Sequence, residues 1–174
     1  GLSMPVGFKN GTEGSVQIAI DAIRSAAHPH QFLSVTKQGV AAIVETRGNP
    51  DCHLILRGGN RGPNYDASAL AEITAALGRA GLPGHLIIDC SHANSGKDPA
   101  RQGDVASEVA AQVAAGNRGI VGVMLESFLE EGRQDVKPGA PLVYGKSITD
   151  ACMSWDRTEP VLEALAEGTR TRRT

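Results

Sequence analysis

Four short apolar runs, at residues 4–8, 53–56, 85–88 and 119–125, each lead into a polar or charged residue and then glycine or serine. A stretch with helical spacing follows each one. Apolar runs without strict alternation suit strands covered on both faces, and parallel strands need a crossover that a helix can supply. Strand and helix repeated four times specify an α/β fold, either an open doubly wound sheet or a barrel.

The helical stretches carry their own punctuation. Val16, Ala19, Ile20 and Ile23 share one face by their spacing. Leu70, Ile73 and Leu77 form a stripe behind the candidate N-cap Asp66, and Gly81 with Pro83 supplies the stop. Val105, Val109 and Val113 continue to Gly116; after a longer loop, Thr158 is placed to cap a helix carrying Val161, Leu162 and Leu165, with Trp155 as a packing anchor. Residues 32–36 and 40–46 break the rhythm. They read as two extended runs joined around Gln38 and Gly39, so that 32–46 is an inserted hairpin of regulatory type.

Composition narrows the function classes. Aromatic residues are 3% of the chain, so the core is built from Ala, Val, Ile and Leu, which lets helices pack closely on a sheet. A net charge of -2, with both signs spread along the chain, argues against nucleic acid as a partner, and nothing in the composition suggests a membrane span. Three cysteines without close pairing favour a reducing, cytoplasmic setting.

Lys9, Arg57, His92 and Glu126 stand at the C-terminal ends of the four apolar runs, the edge where barrel enzymes collect their chemistry. No GxGxxG follows a strand, which weakens a dinucleotide reading. A full barrel has eight units in about 250 residues. This chain has half of them, opens on Gly1 and enters a strand almost at once. It is therefore expected to be one domain, 1–174, comprising the C-terminal four β/α units of a TIM (β/α)8 barrel with an inserted β-hairpin.

Two constellations can carry chemistry. His92, Glu126 and Asp150 offer a nitrogen and two carboxylates that would make a divalent metal site if they converge. A hydrogen-bonded loop histidine is the plain alternative for His92; Glu126, ending an apolar strand, must meet a cation, a base or a hydrogen-bond network. Lys9 and Arg57, beside Gly11 and the Gly58-Gly59 pair, suit an anionic ligand, the plain alternative being salt bridges to Asp89 or Glu126.

Five segments in order resemble the later motifs of class I 3-deoxy-D-arabino-heptulosonate-7-phosphate (DAHP) synthases of the feedback-regulated type. They are Gly7-Phe8-Lys9-Asn10-Gly11-Thr12, Leu56-Arg57-Gly58-Gly59 with Pro63-Asn64-Tyr65, the stretch from Asp89 to Ser95, Gly122 to Ser127, and Tyr144 to Cys152. The resemblance implies a transferase that condenses phosphoenolpyruvate with erythrose 4-phosphate, the first step of aromatic amino acid biosynthesis by the shikimate pathway. It implies that Lys9, Arg57 and His92 bind substrate and serve catalysis, and that His92, Glu126 and Asp150 hold manganese, iron or cobalt. It also implies a homo-oligomer with an aromatic effector near Ser3, Phe32 and Ser34, and Ser34 favours phenylalanine.

The departures from that family matter too. Its fourth metal ligand, a cysteine on an early strand, its Lys-Pro-Arg-Thr segment for erythrose 4-phosphate and an upstream arginine have no counterpart here. This segment alone is therefore expected to be inactive. The alternative reading is a non-catalytic half-barrel that binds phosphorylated anions or self-associates.

Overall fold

The computed structural model describes residues 4–173. Its elements are β1 (Val6–Lys9), α1 (Gln17–Ala27), β2 (His30–Val35), β3 (Ala41–Thr46), β4 (Cys52–Leu56), α2 (Ala67–Arg79), β5 (Leu86–Asp89), a 3-10 turn (Pro99–Arg101), α3 (Gln102–Ala114), β6 (Ile120–Met124), β7 (Glu130–Arg133), β8 (Lys146–Ser147) and α4 (Trp155–Arg173). Among the described residues, β1, β4, β5 and β6 form one four-stranded sheet in that spatial order, and every pairing in it is parallel. The expected α/β architecture of repeated strand and helix is therefore present. Because the sheet is parallel and in sequence order, the C-terminal ends of all four strands, Lys9, Leu56, Asp89 and Met124, come to one edge.

The core is built as the stripes require. Ala19, Ile20 and Ile23 of α1, Leu70, Ile73 and Leu77 of α2, and Val109 and Val113 of α3 pack with Leu54, Leu56, Leu86, Ile88 and Ile120 in one buried cluster. Each Val, Leu or Ile among them contributes about 1.5–3 kcal/mol when fully buried. The central strands β4 and β5 are almost wholly buried, whereas β1 and β6 are half-buried, as edge strands must be. The Asp66 carboxylate accepts from the backbone N–H groups of Ser68 and Ala69 and caps α2, as its position predicts.

Two expectations need correction. Thr158 does not cap the last helix: α4 begins at Trp155, and the Thr158 hydroxyl, inside the first turn, donates to Ser154 O at 2.9 Å and lies 2.6 Å from Ser127 Oγ. The hydroxyl thus docks the helix against the loop after β6. Trp155 anchors no core, since it is 49% exposed at the helix start. The long loop before α4 also contains the short parallel pair β7 and β8.

The inserted hairpin is present, with β2 and β3 antiparallel in the register Leu33↔Ile43 and Phe32↔Val44, and a turn at Gly39 with φ +79. Leu33 and Ile43, 79% and 71% exposed, leave one of its faces bare. No helix among the described residues is long and apolar enough to cross a membrane.

Candidate active site

The loop after β6 makes an excursion and returns alongside itself. Met153 N donates to Glu126 O at 2.9 Å and Phe128 N donates to Met153 O at 2.9 Å. That pairing carries Asp150 back to the C-terminal edge of the sheet. One ligand atom each from His92, Glu126 and Asp150 lies within 4.8 Å of the others, with His92 and Glu126 partly buried and Asp150 exposed. They line a cavity of about 170 Å³ with Ser91, Ser95, Lys97 and Gln102.

Burial pushes the Glu126 carboxyl above its ordinary value; His92 opposes this, Asp150 and Asp89 add to it, and Lys9 lowers it slightly, the net direction remaining upward. Two carboxylates and an imidazole converging in a cavity match the donor set of a divalent ion with open positions, so these residues fit one.

Asp89, at the end of β5 and fully buried, joins this group to Lys9. Its Oδ2 lies 2.7 Å from Lys9 Nζ and 2.9 Å from His92 Nδ1. Burial raises the Asp89 carboxyl, but hydrogen bonds from Lys9 and Ser91 and the nearby cations outweigh that and hold it below the ordinary range. The plain alternative for Lys9 is thus realised in part: it is paired with Asp89, yet its side chain remains 34% exposed at the site. Arg57 is half-buried, and its guanidinium makes no ion pair among the described residues.

Three asparagines hold the rim rigid. Asn10 Oδ1 accepts from Arg57 N at 2.9 Å and from Asn64 Nδ2 at 3.3 Å, while its Nδ2 donates to Gly11 O and Gly58 O. Asn94 Nδ2 donates to Leu56 O and Asp89 O, and its Oδ1 accepts from Asn64 N. Gly58 has φ +69, and a Cβ there would come within 2.8 Å of Asn94, so only glycine fits between these loops. His92 has φ 51, a left-handed conformation costing a non-glycine residue of order 1–3 kcal/mol, and the surrounding hydrogen bonds sustain it.

Sequence reasoning missed Gln102. It is 1% exposed, and its carboxamide spans the main chain of Glu126, accepting from Glu126 N at 2.8 Å and donating to Glu126 O at 3.1 Å. A faint signal existed, because position 102 falls on the same face as Val105 and Val109, where a polar residue needs a buried partner. Beneath the site, burial and then the Asp89 charge push the Cys90 thiol up to about 12.

Of the expected effector residues, Phe32 lines a separate cavity of about 410 Å³ at the hairpin base with Val6, Phe8, His30, Thr46 and Cys52. Ser34 is half-buried on β2 and does not line that cavity, and Ser3 lies outside the described residues.

Comparison with known proteins gives a consistent result. Residues 1–163 match the profile of the DAHP synthetase I family. A Phe-sensitive phospho-2-dehydro-3-deoxyheptonate aldolase of Escherichia coli K12 is 56% identical over 173 residues, covering 99% of this chain and 49% of its own length. A tyrosine-inhibited relative from Schizosaccharomyces pombe is 56% identical over 99% of this chain and 47% of its own. A Trp-sensitive one from Enterobacter agglomerans is 57% identical over 95% and 47%. A solved phospho-2-dehydro-3-deoxyheptonate aldolase from Francisella tularensis superposes with a TM-score of 0.94 at 46% identity, over 100% of this chain and 50% of that one. The chain spans about half the length of the curated relatives it matches.

Proposed function

The chain belongs to the DAHP synthetase I family, and on that premise we propose that it is the C-terminal part of a DAHP synthase, four β/α units of a (β/α)8 barrel whose other half supplies the remaining substrate contacts. The observation that carries this reading is the convergence of His92, Glu126 and Asp150 at the sheet edge that also bears Lys9 and Arg57.

His92, Glu126 and Asp150 would hold a divalent cation, manganese, iron or cobalt. When bound, it supplies Lewis acidity toward the aldehyde of erythrose 4-phosphate. Lys9 and Arg57 bind phosphoenolpyruvate: the guanidinium, without an ion pair among the described residues, grips carboxylate or phosphate in two-point fashion, and the lysine adds a point charge. Holding both anionic groups fixes the face from which C3 of phosphoenolpyruvate bonds to the aldehyde carbon, while water adds at C2 and phosphate leaves. The two cations neutralise charge on the departing phosphate. His92 stands between the cation and anion subsites, beside both Glu126 and the Asp89–Lys9 pair.

The hairpin serves as an effector surface, with Phe32, Ser34 and Ser3 beside an aromatic amino acid, phenylalanine being favoured by Ser34. The feedback-sensitive names of the relatives support an aromatic effector. Its bare apolar face supports a homo-oligomer, and three free cysteines support a reducing, cytoplasmic location.

The test is phosphate release by a protein that includes the upstream half. Release should require both substrates and Mn2+, and Arg57→Ala or Glu126→Ala should each lower it by roughly 100-fold or more. Near-full activity in either variant would sink the assignment.

A further inference from the structure

Resting on the reading of His92 as a cation ligand and Lys9 as an anion contact, we propose that Asp89 is the positioning residue shared by both: it locks the His92 imidazole with its proton on Nδ1, so that Nε2 presents a lone pair to the cavity, and it steers the Lys9 ammonium.

The placement of hydrogens follows from the donors available. Asp89 Oδ1 receives Ser91 Oγ at 2.6 Å and Ser91 N at 3.0 Å, while Oδ2 faces Lys9 Nζ and His92 Nδ1 at 2.7 and 2.9 Å. Ser91 Oγ is also 2.8 Å from His92 Nδ1. A serine hydroxyl has one proton. Given to Asp89 Oδ1, it leaves only lone pairs on Ser91 Oγ to face Nδ1. Both neighbours of Nδ1 are then acceptors, and the ring must supply the hydrogen. The opposite assignment, with Ser91 donating to Nδ1, would set the Nδ1 lone pair against a carboxylate oxygen at 2.9 Å and abandon the 2.6 Å bond.

With the hydrogen on Nδ1, Nε2 is bare and lies 3.7 Å from Glu126 Oε1, facing the other two candidate ligands. A carboxylate behind a metal-binding imidazole fixes its tautomer and orientation. Here the same carboxylate also holds the lysine, so one buried group sets the geometry of the cation and anion subsites together. That arrangement explains why a carboxylate with no exposure is present at the end of β5.

The test is nitrogen-15 NMR of histidine-labelled, metal-free protein at pH 8.5, above the ordinary imidazole pKa of about 6.5, with Mn2+ binding measured separately by calorimetry. The wild type should show the proton on Nδ1 of His92. Asp89→Ala should move it to Nε2 and weaken Mn2+ binding by roughly 10- to 100-fold. Ser91→Ala should leave the tautomer unchanged, since Asp89 Oδ2 still accepts from the ring. A wild-type proton on Nε2, an Asp89→Ala spectrum like the wild type, or a tautomer shift in Ser91→Ala would overturn the proposal. If Asp89→Ala does not fold, the wild-type and Ser91→Ala spectra still decide it. The expected tautomers without any Mn2+ binding would support the role of Asp89 and defeat the metal reading. Normal Mn2+ binding by Asp89→Ala with an unchanged tautomer would do the reverse.

Discussion

At Glu126 the fold works against the ionised side chain. Its carboxyl is held above the ordinary value, first by burial and then by Asp150 and Asp89. The folded chain therefore binds that proton more tightly than the unfolded one, so the group destabilises the fold near neutral pH, and the penalty is relieved as pH falls through the raised folded value. Glu126→Gln should raise the melting temperature of the metal-free protein near neutral pH, with the gain fading toward acid, while Mn2+ affinity falls by more than about 100-fold; calorimetry reads both. Asp89 has the opposite sign: its stabilisation is present above the unfolded carboxylate pKa and is lost as pH falls through its lowered folded value. A thiol pushed up to about 12 stays protonated, so native-state iodoacetamide treatment at neutral pH should leave Cys90 unmodified by mass spectrometry. Glu126 was legible in the sequence as a carboxylate ending an apolar strand. Asp89 carries the same mark but could be read as ordinary salt bridging, and Gln102 acts on a neighbour's main chain, which a residue pattern records only faintly.

Among the elements, the cap on α2 and the crossing of α3 with α4 offer the clearest tests. Asp66→Ala removes the acceptor for two backbone N–H groups and should cost about 1 kcal/mol in denaturant unfolding. Gly168, buried in α4, faces α3 so closely that a Cβ would lie 2.6 Å from Ala110 O. Gly168→Ala gains roughly 1 kcal/mol of helix propensity, but overpacking costs about 1–3 kcal/mol. The variant should therefore be no more stable than the wild type in the same measurement. The first three helices could be read because each keeps its stripe, and the second and third also have their stop signals. The start of α4 could not, since the Thr158 hydroxyl that suggested a cap is bonded to Ser154 and Ser127 instead. Nor could β7, whose Glu130–Arg133 sequence has no apolar run and is a strand through its pairing with β8.

Across the whole molecule, the parallel sheet gathers one set of strand ends while its outer strands remain half-buried. The strand and helix order made the α/β class legible. Whether the sheet closes depends on strands that pair with β1 and β6 from elsewhere, so no pattern within these residues decides it. Given both substrates and Mn2+, residues 1–174 alone are expected to release no phosphate above background in a malachite green assay. Co-expression with a chain bearing the early cysteine and the Lys-Pro-Arg-Thr segment should restore release. The asparagine-bound rim bears on how long such a molecule lasts. Asn10 precedes Gly11, the context in which a side-chain amide is most readily attacked by the next backbone nitrogen and deamidates. Here that nitrogen is engaged with Ser15 O at 3.2 Å, and the Asn10 amide is held by four partners. The network that shapes the rim thus also slows its chemical ageing, and a protein whose rim loosens would accumulate an aspartate at position 10 where a donor to Gly58 is required.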